Sequence, residues 1–469
     1  MSAVSLGPRP RIAPVQGRLF PSSLIVAVFG VGRDMLSIYR YTASGVEKTD
    51  ISIPWTQAES QDGVALQCWD AEWLEGMMHN LVDEAGEEGL LGLAAPGADL
   101  YVEGCPILHY RTLMKRIPDL VARATEIVPA EHLYVDLGGA AVQPFNALYQ
   151  CVAYRDLLGC NPAEDGRTVC TLVDRLTEWA CRTGEVRAEL QMAQSQGLLQ
   201  PCQEEVYQAL GLAAFYGRLS DSNFFGADDL VRAPNGAWVM PATHDSVWAR
   251  LIGYLMAPWV LWTGGWIGWA RLIGEDEQVL PVSSFLGAGI AFEGVGNGVA
   301  SVVGNVGMHG AVYSALRAHL GWSFDQMSPA AQRHLPWDGE RLDVEAVKPE
   351  EGALHAFVSG LVSKLGRERA CAAVVASSAL DCAEALQRAS SALEVACPSE
   401  LAVVGGWYHN RAFGEALGDC GFKVDYPAFG GSATEDGVAA EALRRWSIQE
   451  GASGLTFKQA HQAIAEMRG

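Results

Sequence analysis

One pattern constrains this chain more than any other: a strand, a glycine turn and a second strand occur twice, roughly 235 residues apart. Leu24–Phe29 (LIVAVF) is a continuous apolar run of strand length. It is followed by Gly30-Val31-Gly32-Arg33-Asp34, the run MLSIYRY, a Ser-Gly pair and VEKTDISI. That is the grammar of an antiparallel meander. The second copy is Trp259–Ile273, where WVLW and WIGWARL flank a turn built on Gly264-Gly265. Two halves that open alike point to a duplicated α/β fold with a cleft between the halves. The expected division is a disordered Pro- and Arg-rich leader over 1–22, a first domain over 23–240 and a second over 241–469.

The second copy overlaps Leu251–Ala270, twenty residues without a charge, long enough in principle to span a bilayer. Pro258 and the Gly264-Gly265 pair interrupt it, so the expectation is a buried hairpin and no membrane segment. The balance of 33 basic against 55 acidic residues, net −22, repels phosphate backbones and anionic lipid and argues against nucleic-acid or membrane-surface partners. Glycine is 51 of 469 residues, about 11% against an ordinary 7%, without a repeat, which implies many tight turns. The eleven cysteines are odd in number, include no CxxC and sit mostly in apolar runs. They read as reduced, buried thiols of a cytoplasmic protein.

Coarse periodicity places helices at Ala71–Ala85, Tyr110–Thr125, Asp174–Cys181, Glu204–Ala214 and Val247–Leu255. Leu133–Leu137 reads as a short strand before Gly138-Gly139. Farther on, Ala370–Ala389 is helical, Leu401–Val404 is a strand running into Gly405-Gly406, and a helix capped by Asn410 ends at Gly421. Helices around Val438–Trp446 and Thr456–Met467 close the chain.

Chemistry has few places to reside. A glycine turn lets backbone N–H groups converge on a phosphate without obstruction, and Gly30–Gly32 and Gly264-Gly265 each offer one; ordinary hairpins need glycine too. Asp245 follows Thr243-His244 and opens an apolar helix. A carboxylate there stays ionised and can accept a proton from a hydroxyl, or it can simply cap the helix. The strand–Gly-Gly–helix junction Leu401–Asn410 offers bare backbone for a flat ring, or is a plain tight turn. No zinc spacing, Walker loop, Rossmann fingerprint or nucleophile elbow is present.

These residues together resemble the FGGY family of carbohydrate kinases, in the actin/hexokinase/Hsp70 ATPase superfamily, and within it the rhamnulokinase-like branch. The resemblance runs from about Leu24 to Leu443. It rests on Gly138-Gly-Ala-Ala-Val-Gln-Pro-Phe-Asn-Ala-Leu-Tyr-Gln150, Thr243-His-Asp-Ser246, Leu261–Leu272 against an SGTW hairpin, Phe292-Glu-Gly294 with Asn305 against NEGG…N, and Gly405-Gly-Trp-Tyr-His-Asn410 against GGGxxN.

The resemblance implies two ribonuclease-H-like (actin-like ATPase) domains, each a mixed five-stranded sheet with flanking helices, sugar bound on the first and ATP on the second. It implies Asp245 as the base. ATP would be held by Gly30, Gly32, Arg33, Gly264, Gly265, Trp266, Gly405, Gly406 and Asn410, and sugar by Gln143, Asn146 and His244. Mg2+ would lie near Asp245 and Asp34. A homodimer through the second domain would be ordinary for such kinases.

Three positions depart from the family pattern. Gly30 stands where an aspartate helps hold magnesium, Gly265 where a threonine meets phosphate, and Phe292 where an asparagine meets the nucleotide. A segment often THGAT reads Ala95-Pro-Gly-Ala-Asp99. The leading expectation is an ATP- and Mg2+-dependent kinase of a ketose or related polyol. The alternatives are a catalytically weakened family member that binds a sugar or partner, and a cleft ATPase with another phosphoryl acceptor.

Overall fold

The computed structural model describes residues 20–30, 34–42, 45–96, 99–109, 117–139, 146–160, 167–189, 192–193, 196, 203–220, 223–274, 277, 279, 281–294, 300–344, 346–347, 351–407, 410–426, 432–450 and 454–468. Its architecture is two mixed sheets with one shared strand order. In the first, Leu24–Gly30 pairs antiparallel with Met35–Thr42, which pairs antiparallel with Gly45–Ser52. On its other side Leu24–Gly30 runs parallel to Leu90–Ala95, which runs parallel to Trp238–Val239 and Thr243–His244. The second sheet repeats this. Trp259–Thr263 pairs antiparallel with Ile267–Leu272, and that with Ala300–Gly307. Trp259–Thr263 also runs parallel to Glu400–Gly405, itself parallel to Lys423–Asp425. Each five-position core gains an edge strand, Val231–Arg232 in the first sheet and Ala291–Gly294 in the second.

Hydrophobic patterning explains which strands are central. All six residues of Leu90–Ala95 (LLGLAA) are buried, as expected of a parallel strand covered on both faces. Helices Ala71–Ala85 and Leu172–Cys181 cover one face and helix Ala433–Gln449 the other. In the second sheet the period-2 alternation is explicit. Leu261, Leu401 and Val403 face a large core with the helices His309–Leu320 and Arg367–Ala392, while Val260, Ala402 and Val404 face Ala249 and Ile252 of helix Asp245–Tyr254.

Two helices join the sheets. Asp245–Tyr254 lies on the second sheet, Ala433–Gln449 on the first, and they pack against each other. A Cβ at Gly437 would stand 2.5 Å from the Trp248 carbonyl oxygen, so the pair approaches backbone to backbone. The C-terminal helices thus contribute to the core under the first sheet, where Val438, Leu443, Trp446 and Ile464 surround Leu24, Val26 and Leu90. Buried ion pairs reinforce that seam: Arg468 meets Glu435 and Asp436, and Arg444 links Glu441 with Asp228.

The strands Leu24–Gly30, Met35–Thr42 and Gly45–Ser52, the hairpin strands Trp259–Thr263 and Ile267–Leu272, and the helices flanking them form as the sequence pattern predicts. No helix among the described residues is long and apolar enough to cross a membrane. Three expectations are overturned. Leu133–Leu137 is not a strand: Ala130–Asp136 is a helix whose Leu133 N–H bonds the Pro129 carbonyl, with Leu133 and Tyr134 on its buried side. A five-residue apolar run cannot separate the two alternatives by periodicity. Nor are all the cysteines free thiols. Cys105 and Cys160, 55 residues apart, form a disulfide. Tyr154, which donates to the Leu100 and Pro106 carbonyls, docks the helix ending at Leu158 against the turn that carries Cys105. The helix expected over Glu204–Ala214 is two, Gln203–Ala209 and Ala213–Ser220, separated at Gly211 with φ +71°.

Candidate functional site

Ligands of open α/β sheets bind beyond the carboxyl ends of the parallel strands, and the registers show what each sheet presents there. In the first, Val28 and Thr243 both lie opposite Ala94. Gly30 and Asp245 therefore leave the same edge on either side of the Leu90–Ala95 strand, roughly 10 Å apart at ordinary strand spacing.

Asp245 is the first residue of helix Asp245–Tyr254 but not its cap. His244 caps it, its Nδ1 accepting from the Ser246 N–H at 3.2 Å. The Asp245 carboxylate, 38% exposed and 3.3 Å from His244 Nδ1, is consequently left at the cleft edge. Buried polar groups behind it set its position. The Thr243 hydroxyl donates to Glu189 Oε2 at 3.0 Å, and the Ala242 N–H to Thr177 Oγ1 at 2.9 Å. Glu189 in turn donates its N–H to Asp174. Burial pushes the Asp174 carboxyl up to about 7; hydrogen bonds from Thr171 and the Glu189 N–H oppose the rise and the Glu189 charge adds to it.

The second sheet's edge is braced more tightly. Thr263 lies opposite Gly405. Its hydroxyl donates to the Val404 carbonyl at 2.7 Å and accepts from the Trp407 N–H at 2.9 Å, and its carbonyl accepts from the Gly406 N–H at 2.7 Å. Gly405 holds φ +92°, and a Cβ there would stand 2.1 Å from the Thr263 oxygen; only glycine fits both demands. Next come Gly264, Gly265 and Trp266, all exposed. The start of helix His309–Leu320 presses on this turn. A Cβ on Gly310 would fall 1.7 Å from the Gly264 oxygen, and the Ala311 N–H donates to the Gly265 oxygen at 2.8 Å. Both carbonyls therefore face the helix. Because a trans peptide points its N–H opposite its carbonyl, the N–H groups of Gly265 and Trp266 face away from that helix. Two successive outward N–H groups are the donors of an anion-binding nest.

A pocket of about 280 Å³, part of it open to solvent, adjoins this edge. Its lining is Tyr313, Phe324, Asp325, Gly406, Trp407 and Asn410. Tyr313 stacks on Phe324, with ring centroids 5.8 Å apart at 14°, and packs against Trp407 at 4.8 Å. Asn410 caps helix Arg411–Asp419 through its Oδ1, and its side chain lies beside the Tyr313 hydroxyl. Sequence reading named Gly406 and Asn410 but not Tyr313, Phe324, Asp325 or Trp407. Three of those four lie 85 or more residues away from Asn410 in the chain, and no local pattern marks them. Trp407 alone carried a signal, standing third in the Gly-Gly-Trp run.

The structure separates the other sequence candidates. Gly264, Gly265, Trp266, Gly405, Gly406 and Asn410 come together in the second half; His244, Asp245 and Gly30 share the first sheet's edge. Gly32, Arg33 and Gln143 lie outside the described residues. Asn146 is 2% exposed and commits its amide to the Leu148 N–H and the Gln196 carbonyl, so it caps a helix rather than facing a cleft. Asp34 is half-buried at φ +53°. Asp99 is fully buried and accepts from the Trp69 indole at 2.6 Å. Phe292 stacks on Phe285 and closes over Gly139, whose carbonyl accepts its N–H.

The outward Gly265 and Trp266 N–H groups suit an anion, and the adjoining pocket is lined by the rings of Tyr313, Phe324 and Trp407. For magnesium, no group of three or more acidic, histidine or cysteine side chains gathers among the described residues. Asp245 offers an open carboxylate, which suits an ion that keeps its waters and takes phosphate oxygens as its other ligands.

No family model matches the chain, and no curated protein matches it. Solved structures do. Xylulose kinase from Lactobacillus acidophilus is 13% identical with a TM-score of 0.63, the alignment covering 95% of this chain and 97% of that one. Plasmodium falciparum glycerol kinase with ADP is 10% identical at a TM-score of 0.68, covering 95% and 92%. Gluconate kinase from Lactobacillus acidophilus is 13% identical at 0.62, covering 95% and 98%. The fold is thus the two-domain, actin-like ATPase fold that these sugar and polyol kinases have, with a cleft between its domains.

Proposed function

We propose that this chain is a carbohydrate kinase of the FGGY type, close to the rhamnulokinase-like branch, transferring the γ-phosphoryl group of ATP to a hydroxyl of a ketose or related polyol. The carrying observation is Asp245: a half-exposed carboxylate at a helix start, relieved of capping by His244, at the carboxyl edge of a sheet in a fold shared with sugar kinases. In this reading the division falls near residue 240. The sugar lies against the first half with His244 beside it and Gln143 on the segment matched to the family. The nucleotide lies against the second half, its base in the Tyr313–Trp407–Asn410 pocket and its phosphates against the Gly264–Trp266 turn. Mg·ATP supplies the transferable group and neutralises its charge. Asp245 orients the sugar hydroxyl and takes its proton as the oxygen attacks, which is what phosphoryl transfer asks of a protein beyond positioning. Closure of the two halves excludes water, the competing acceptor. The protein acts in the cytoplasm on a small-molecule sugar, as a homodimer.

The test is ADP release from Mg·ATP with pooled ketoses, aldoses and polyols. Sugar-dependent release that falls by about 10²- to 10⁴-fold in Asp245→Asn, with an unchanged melting temperature, supports the reading. Release that survives the substitution, or that needs no sugar, overturns it. One observation favours a second reading, a weakened family member that binds sugar without efficient transfer: Gly30 ends its strand with no carboxylate where the family pattern has one. Folded protein that binds a sugar but releases no ADP would select it.

A further inference from the structure

His309 is completely buried at the first position of helix His309–Leu320, and the proposed chemistry makes no use of it. Two residues of helix Arg367–Ala392 grip its ring. Ser378 Oγ stands 2.9 Å from Nδ1, and Asp381 Oδ2 stands 3.0 Å from Nε2. Ser378 and Asp381 are three positions apart and so share one face of that helix. The hydroxyl proton of Ser378 is already donated to the Val374 carbonyl at 2.7 Å, so the contact with His309 requires the proton to be on Nδ1. The Nε2–Asp381 contact, 3.0 Å long, lies off the ring's N–H direction and is a close approach rather than a directed hydrogen bond. Asp381 is held in turn by Arg341.

The residues that follow His309 are the ones that shape the glycine turn. Gly310 abuts the Gly264 carbonyl, and the Ala311 N–H bonds the Gly265 carbonyl. A shift of the helix start by a few tenths of an ångström would release both contacts and let the Gly264–Gly265 and Gly265–Trp266 peptides rotate. We infer that His309, clamped by Ser378 and Asp381, is a positioning residue: it locks the start of its helix so that the Gly265 and Trp266 N–H groups stay aimed at a bound phosphate. The consequence for catalysis rests on the function proposed above. The consequence for the turn does not.

The experiment therefore has two arms. Hydrogen–deuterium exchange on the ligand-free chain follows peptides covering 259–272, comparing the natural chain with His309→Ala and His309→Gln. Exchange in the turn is expected to quicken about tenfold in His309→Ala and less in His309→Gln, whose amide can still donate to Ser378 Oγ. In the kinetic arm, KM for Mg·ATP should rise about tenfold while kcat moves little and KM for the sugar stays put. Asp381→Asn, which retains the acceptor and removes the charge, serves if His309→Ala does not fold, and should quicken exchange in the same peptides. Unchanged exchange over 259–272 in these variants, or quickening confined to helices His309–Leu320 and Arg367–Ala392, overturns the inference. If the natural chain turns over no sugar, the proposed function fails, and the exchange arm still decides the role of His309.

Discussion

The strand end at Gly30 and the turn at Gly264–Trp266 occupy the same topological position in two sheets of the same order, yet the described residues around them are fixed differently. The second is cross-braced. The Thr263 hydroxyl ties it to Val404 and Trp407, Gly405 lets the neighbouring strand end against it, and helix His309–Leu320 presses on its carbonyls. At the first, the Ile53 N–H bonds the Asp34 carbonyl, and residues 31–33 lie outside the described residues. What is well fixed at the first edge is instead Asp245, through Thr243 and Glu189. The comparison teaches that duplicated topology need not duplicate chemistry: one edge turns two backbone N–H groups outward, the other presents one carboxylate.

The largest effect should come from filling the contact behind the second turn. Gly310→Val places side-chain carbon where the Gly264 carbonyl stands and should destabilise the protein by about 3–4 kcal/mol, read as a fall in denaturant midpoint. Gly265→Ala is the control. Its Cβ meets nothing within 4 Å, so stability should change by less than about 0.5 kcal/mol. Equal costs at both positions would dissolve the distinction between the braced and open sides of the turn. Next is Thr263→Val, which keeps the shape but strands the Val404 carbonyl and Trp407 N–H. A loss of about 2 kcal/mol is expected.

The first edge offers a pH signature. Asp174 has a folded pKa of about 7, above an unfolded value near 3.9, so the folded state favours its protonated form. Its contribution to stability is complete below about pH 4 and is lost as pH rises through 7. Melting temperature measured across that window should therefore decline in the natural chain and decline less in Asp174→Asn. The smallest effect expected is that of Gly30→Asp. A Cβ there would lie 3.3 Å from the Met35 oxygen, which asks for a shift of tenths of an ångström. The added carboxylate should lower the Mg2+ concentration for half-maximal turnover, on the order of threefold. No change would mean that the first turn takes no part in holding the metal.

How much of this was legible in the chain depends on the range over which each feature is decided. The meander, the second hairpin and the helix capped at Asn410 are local, and their glycines, apolar alternation and cap residue stand within a few positions of one another. Leu133–Leu137 failed for the opposite reason, since its buried face is defined by distant packing partners. Asp245 was visible as a carboxylate opening a helix. Whether it capped that helix or faced outward was not, because the decision lay in the rotamer of His244 and in a strand pairing with Leu90–Ala95.

The sequence by itself determined the duplicated strand–turn–strand plan, the helical runs and the place of the glycine turns, since backbone freedom and hydrophobic period are properties of neighbouring residues. Only the tertiary structure decided which of those glycines meet, that Cys105 and Cys160 join, that Asn146 is buried while Asp245 is open, and that His309 stands behind the turn. Each depends on two segments 40 or more residues apart being brought within hydrogen-bond or van der Waals reach. That proximity is set by the burial of whole faces rather than by any local propensity.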